Sequence, residues 1–209
     1  MDEELLKQIE LLKGEHEHIV QLGKKMLEKI GVTEFTMFCA STLNRTLNLN
    51  RGFVTLMESS NYNAAAPLVR ISLDSLLRFF ASTQSEYDHE NFAIKVRTGM
   101  QIDKMRARDT KVNLTDAELV RRMTKSGALK WVKTIYKIGS GFVHLSRQHL
   151  NTSFKREGDK IIGVISIDDS IIPTEEKTAA VNCMLKISWG IRISIGGCFE
   201  VPEDKIGPG

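Results

Sequence analysis

Apolar residues recur every three to four positions through most of the chain, which is the spacing of an amphipathic helix. The periodic stretches predict helices at about 5–30, 33–57, 67–84, 86–108, 115–126, 129–148 and 174–199. Thr33 is placed to cap the second helix, and Pro67 is expected in the first turn of the third, where a helix tolerates proline. The third stretch leaves almost no polar side, so we expect it to be the central helix.

The pattern changes after Asn151. The run TSFKR, the turn EGD and the run KIIGVISI are typical of two strands joined by a glycine turn, which predicts a β-hairpin at about 151–167. The tail from about residue 200 has no periodicity. Residues 1–209 are therefore predicted to form a single, mainly α domain. We expect a bundle of about six to seven helices, with one small β-hairpin before the C-terminal helix and a loose end.

Composition excludes several classes of protein. The 209 residues are 42% hydrophobic and 26% charged, which is ordinary for a globular domain. Three cysteines, Cys39, Cys183 and Cys198, have neither the number nor the spacing of a disulfide framework or a zinc site. The acidic N-terminal segment lacks the pattern of a secretion signal, and no apolar run reaches the length of a membrane span. We expect a cytoplasmic protein with no metal, no cofactor and no membrane association.

Charge is unevenly distributed along the chain. Residues 95–137 hold twelve basic and four acidic residues. A segment of this kind favours sequence-independent binding to nucleic-acid phosphates, and it is equally typical of a solvated basic face. Binding through phosphates would weaken steeply as salt rises.

Two charged residues interrupt the apolar third helix. Arg70 and Asp74 lie one turn apart on a sector shared with apolar residues, where buried charges need partners. One interpretation is an ion pair within the helix, extended by Arg78. The other is a site that binds an anion or performs acid–base chemistry.

The second helix carries a polar sector opposite its apolar face. Asn44, Asn48 and Arg51 fall within it, and asparagine is a poor helix former, so the pattern indicates hydrogen bonding to a neighbour or a ligand. A polar surface stripe is the alternative.

The sixth predicted helix places Tyr136, Ser140 and His144 in one column at steps of four residues. A phenol, a hydroxyl and an imidazole can together donate, accept and transfer protons near neutral pH. Lys133 and Lys137 share that sector, as on an exposed surface, so a purely structural column remains the alternative. No metal-binding, dinucleotide-binding or nucleophile motif occurs elsewhere in the sequence.

Residues 43–76 and the run YKIGSGFVHLS at 136–146 resemble a bacterial helical family related to the HEPN superfamily, the higher-eukaryote and prokaryote nucleotide-binding fold found in toxins and antiphage defence. The matching features are an arginine followed four residues later by an acid, Arg70 and Asp74, and a serine four residues before a histidine, Ser140 and His144. The resemblance implies a helical bundle with a polar pocket between its longest helices, and pairing into homodimers or with a protein partner.

The chain departs from the superfamily's ribonucleases, in which four to six residues separate an arginine from the histidine that follows it. No histidine here has an arginine at that distance. Two hypotheses follow. In the first, Arg51 and Arg70 bind phosphate of RNA or a nucleotide, Asp74 orients an arginine, Asn44 and Asn48 line the pocket, and His144 with Ser140 or Tyr136 transfers protons if RNA is cleaved. In the second, the chain is a non-catalytic helical module that assembles with itself or with a partner.

Overall fold

The computed structural model describes residues 2–125, 129–144, 146–163 and 165–201. Within these ranges the chain forms eight α-helices, namely α1 (Glu3–Ile30), α2 (Glu34–Glu58), α3 (Tyr62–Gln84), α4 (His89–Arg97), α5 (Asp116–Thr124), α6 (Lys130–Val143), α7 (Arg147–Ser153) and α8 (Thr174–Phe199). Strands β1 (Phe154–Glu157) and β2 (Lys160–Gly163) form an antiparallel hairpin before α8. The predicted mainly helical architecture is confirmed. The tail predicted from about 200 lies outside the described residues beyond Val201.

Helix α3 occupies the centre of the bundle, as its composition predicted. It packs against α2, α4, α5, α6 and α8, and its apolar side chains, among them Leu73 and Leu77, are fully buried. The long helices α1, α2 and α8 pack against one another beside it. The regular apolar spacing of α1 explains this packing, because positions such as Leu12 and Met26 share one buried face.

Two buried polar contacts fix how α8 sits against α1 and α2. Arg192 Nε donates to a carboxylate oxygen of Glu15 on α1 at 3.2 Å, and both side chains are buried. Asn50 Nδ2 donates to the hydroxyl of Ser188 at 2.8 Å, and that hydroxyl donates back to Asn50 Oδ1 at 3.1 Å. Because buried polar groups need partners, these contacts favour one helix register over others. No helix in the described ranges is long and apolar enough to cross a membrane.

The start of α3 differs from the prediction. The helix begins at Tyr62, where the side chain of Asn61 accepts a hydrogen bond from the Ala64 amide at 3.2 Å, and Asp169 accepts from the Tyr62 amide at 3.2 Å. Pro67 is therefore the sixth helical residue, and its predicted place in the first turn was wrong. The cap at Asn61 and the distant carboxylate stabilise an earlier start, at the cost of one backbone hydrogen bond at the proline.

The stretch 86–108 is not one helix, as was expected. Helix α4 ends at Arg97, and Gly99 follows with a φ of 94°, a left-handed conformation that stops a helix. A 3-10 turn at Ile102–Lys104 and an extended segment complete the stretch. Ala107 pairs with Ser85 in an isolated bridge and is buried, so tertiary contacts replace the helical hydrogen bonds there.

The predicted helix 129–148 is also divided. Helix α6 ends at Val143, His144 is extended, and α7 begins after Ser146, whose hydroxyl accepts from the Gln148 amide. The hairpin is shorter than the predicted 151–167, because residues up to Ser153 are helical. Its two-residue turn contains Gly158 with a φ of 61°, a conformation that glycine adopts readily.

Candidate functional site

An open cavity of about 420 Å³ lies between α3 and α6 and is bordered by α2 and α5. Its lining residues are Arg45, Arg70, Ile71, Asp74, Asp116, Tyr136, Ser140, Val143 and His144. Five residues that the sequence singled out on two separate helices, Arg70, Asp74, Tyr136, Ser140 and His144, therefore line one space. We call it the polar cavity.

Gly139 allows α6 to approach α3 at this point. A β-carbon added there would lie 3.0 Å from Arg70 Cβ and 3.4 Å from Arg70 Cα. Carbon atoms in good contact are about 3.5–4.0 Å apart, so a larger residue would push the helices apart. The close approach brings Tyr136 against Arg70, whose guanidinium lies 4.6 Å from the ring centroid in a cation–π contact.

The charged residues of the cavity form a network across two helices. Arg70 Nη2 donates to Asp116 at 2.5 Å, and Arg78 Nη2 donates to the other oxygen of the same carboxylate at 2.6 Å. Arg78 Nε also donates to Asp74 at 3.1 Å. The intrahelical ion pair of α3 thus joins Asp74 to Arg78, while Arg70 is paired with α5. Asp116 is well placed to hold both guanidinium groups because it begins α5, where the helix dipole favours a carboxylate.

Arg45 on α2 is the most accessible cation of the cavity. Its Nε donates to the Ser75 hydroxyl at 3.0 Å, its Nη2 lies 3.8 Å from Asp74, and its side chain is 51% exposed. Together with Arg78, which does not line the cavity, the network therefore holds three arginines against two carboxylates, or one surplus positive charge. Arg78 Nη1 is also buried without a hydrogen-bond partner among the described residues. The guanidinium groups that line the cavity, those of Arg45 and Arg70, are hydrogen-bond donors of the kind that suit an anion.

The α6 column contributes uncharged groups and an imidazole. The Ser140 hydroxyl donates to the Tyr136 carbonyl oxygen at 2.7 Å, so its proton is engaged within the helix, although its oxygen can still accept. His144 follows the last helical residue and is exposed at the edge of the cavity. An imidazole in that position can meet both solvent and a bound ligand.

Three predicted site residues lie elsewhere. Asn44, Asn48 and Arg51 are exposed on α2 and do not line the polar cavity. Asn48 Nδ2 donates to the Asn44 backbone oxygen at 2.8 Å and to the Asn44 side-chain oxygen at 3.3 Å, so this donor is engaged within α2. The charge of Arg51 acts on His16 of α1, where it adds to burial in lowering the pKa of the histidine.

Arg45 and Asp116 were not found from the sequence. Arg45 lies next to Asn44 but on another side of α2, and its polar neighbour Ser75 is thirty positions away. Asp116 is separated from Arg70 by 46 positions and stood out only as an acid within a basic segment. The helix predicted at about 115–126 gave the start of α5 correctly, where Thr115 is the cap, but no local pattern shows which helix that start faces.

Much of the basic segment 95–137 is paired with acids. Arg121 and Arg122 bind Glu118, and Arg122 also binds Asp109. Hydrogen bonds from Arg121 and then Arg122 lower the pKa of Glu118 to about 2, and those from Arg122 lower the pKa of Asp109 to about 2.

The exposed lysines of α6 are not paired in this way. Within the described ranges no acidic side chain forms an ion pair with Lys130, Lys133 or Lys137. They form a basic stripe beside the polar cavity.

No cluster of three or more histidine, cysteine, aspartate or glutamate side chains that could hold a metal ion occurs in the part of the chain that the structure describes. Comparisons of the chain with protein-family models, with curated proteins and with solved structures gave no match.

Proposed function

We propose that this chain is a cytoplasmic, HEPN-like defence or toxin-type protein that binds a phosphate group of RNA or a nucleotide in the polar cavity. The observation that carries the proposal is the half-exposed Arg45 at the edge of an open cavity, beside an ion-pair network that contains one more arginine than carboxylates. Phosphate oxygens accept strong hydrogen bonds from guanidinium groups, and a planar guanidinium can form two parallel hydrogen bonds to one phosphate group.

Each cavity residue has a distinct part in this proposal. The Arg45 guanidinium leaves Asp74, from which it is 3.8 Å away, and binds the phosphate. Arg70 is held by Asp116 before the ligand arrives, so little freedom is lost when it binds, and Arg78, outside the lining, holds the same carboxylate in place. Asp74 positions Arg78. The lysine stripe of α6 attracts further phosphates of a longer RNA.

RNA cleavage is the catalytic form of the same proposal. His144 would accept or donate a proton, and the Tyr136 phenol or the Ser140 oxygen would hydrogen-bond the reacting group. The arginine-to-histidine spacing of the superfamily's ribonucleases is absent from the sequence. Binding and cleavage are therefore tested separately.

Binding is tested with a fluorescein-labelled single-stranded RNA in an anisotropy titration. Arg45→Ala should weaken binding about fivefold, as expected for a charged contact of about 1 kcal/mol at a half-exposed site. Arg51→Ala is the matched control because it removes an exposed arginine of the same helix outside the cavity. Equal affinities of the two variants, or an affinity that ignores salt, would reject phosphate binding at this site.

Cleavage is tested by incubating the wild-type protein and His144→Ala with transfer RNA and total RNA. Activity that depends on His144 and survives in Arg51→Ala, a change of an exposed charge on α2 outside the cavity, supports the catalytic form. Equal cutting by all three proteins excludes His144. Intact RNA with normal binding leaves the protein as a binding module.

A second candidate function is supported by the surface around the hairpin. Apolar side chains are exposed there, namely Leu150, Phe154, Ile161, Ile162, Ile165 and Ile167. Several exposed apolar side chains in one region of a protein are typical of an interface, and a two-stranded hairpin gains stability when it is covered. We propose a homodimer or a protein partner at this surface. Light scattering should show a dimer that Ile161→Asp dissociates, and a monomer at all concentrations would reject self-association.

A further inference from the structure

A second cavity of about 430 Å³ lies between α3, α6, α7 and α8. Neighbouring residues on two helices line different cavities: Val69 and Gly139 line this one, whereas Arg70 and Ser140 line the polar cavity. The contact between Gly139 and Arg70 separates the two spaces. We call the second space the apolar cavity, and it has no part in the proposed phosphate chemistry.

The walls of the apolar cavity resemble those of small-molecule sites. Ala66, Val69, Ile135, Phe142 and Ala180 are buried core residues that face the space. A concave, mostly apolar pocket within the range of about 300–1,000 Å³ and with a few converging polar groups is the usual form of such a site. The volume and the lining of the apolar cavity fit this description.

Tyr62 supplies an aromatic wall with a polar end. Its side chain is 4% exposed and packs edge to face with Phe142 at 5.9 Å between ring centroids. Burial, followed by the charge of Glu176 and then Cys183, raises the pKa of the phenol well above its usual value. The hydroxyl therefore stays protonated and lies within the electrostatic reach of Glu176.

Glu176 makes the lining of the apolar cavity negatively charged. It is the one charged residue that lines the space, it is exposed, and no ion pair joins it to another residue in the described ranges. Lys177 next to it is paired with Asp169 instead. The cavity thus combines an apolar interior, aromatic rings and one uncompensated carboxylate, which complements a cation and repels an anion.

We propose that the apolar cavity binds a small hydrophobic amine, with its alkyl or aryl body between Val69, Ile135 and Phe142 and its ammonium group at Glu176. The alkyl or aryl part of the amine covers apolar side chains that water would otherwise contact, and the ammonium group forms an ion pair with the Glu176 carboxylate. This site is separate from the polar cavity, so the proposal stands whether or not RNA binds.

The thiol of Cys183, which also lines the cavity, provides a direct test. In a Cys198→Ser background, alkylation of Cys183 by N-ethylmaleimide is followed by intact mass in the presence of octylamine, 1-octanol or octanoate. Cys39 is completely buried, so its alkylation reports unfolding, and only concentrations that leave it unlabelled are compared. Octylamine should protect Cys183 at the lowest concentration and octanoate at the highest. We expect octylamine to be about two- to fivefold more effective than 1-octanol, the range of a solvent-exposed ion pair.

Two variants make the test specific. Glu176→Gln should remove the advantage of octylamine over 1-octanol and leave protection by 1-octanol unchanged. Ala179→Trp should abolish protection because Ala179 is an exposed residue of the lining, and Ala117→Trp is its control at an exposed alanine of α5 outside the cavity. Failure of octylamine to protect, equal protection by octanoate, or an unchanged preference in Glu176→Gln would overturn the proposal.

Discussion

Two glycine-to-alanine changes measure how tightly α3 and α6 pack. Gly14 lies on the exposed side of α1, and an added β-carbon would meet nothing within 4 Å. Alanine in a helix interior is favoured over glycine by about 1 kcal/mol, so Gly14→Ala should stabilise the protein by about that amount. Gly139→Ala gains the same helix propensity, but its β-carbon would lie 3.0 Å from Arg70 Cβ.

Overpacking of a close contact costs about 1–3 kcal/mol, because neighbours must move from their preferred positions. Gly139→Ala should therefore range from neutral to about 2 kcal/mol less stable than the wild type. The difference between the two variants isolates the packing cost, since the helical gain is common to both. It should be about 1–3 kcal/mol.

Urea denaturation followed by far-ultraviolet circular dichroism gives both free energies of unfolding. If the free energy of unfolding falls with urea concentration at the same slope in both variants, the two expose similar surface on unfolding. The reasoning is refuted if Gly139→Ala stabilises the protein as much as Gly14→Ala, because the helices would then have room for a methyl group.

Further changes test other parts of the structure. Ser188→Ala removes both hydrogen bonds of the buried Asn50 side chain and should lower the free energy of unfolding by about 1–3 kcal/mol in the same urea assay; no loss would show that the amide finds another partner. Burial lowers the pKa of His89 from 6.5, so the folded protein favours the neutral ring. The free energy of unfolding therefore falls as the pH drops from 6.5 through the lower pKa that His89 has in the folded protein, because the unfolded chain is protonated first. His89→Phe should make the fall in stability below pH 6.5 shallower, and an unchanged pH profile would contradict this. Cys39 is buried, and burial raises its thiol pKa, so Ellman's reagent should modify exposed Cys198 in the native protein and Cys39 only on unfolding.

Local patterns were sufficient for most helices but not for their interruptions. The apolar period, the Thr33 cap and the glycine turn predicted α1, α2, α8 and the hairpin, because these signals act over a few neighbouring residues. They did not predict the early start of α3, which a cap and the distant Asp169 stabilise together. They also missed the break at His144, after which α7 is a separate helix capped by Ser146.

Apolar periodicity was enough to predict the helical class and to mark five residues as unusual, because a polar group on an apolar helix needs a partner wherever the helix packs. These residues are Arg70, Asp74, Tyr136, Ser140 and His144. The identity of each partner depends on the packing of the folded chain. Helical periodicity tells which side of a helix is buried but not which helix covers it, so pairings across 46 positions, such as Arg70 with Asp116, depend on how the completed bundle packs.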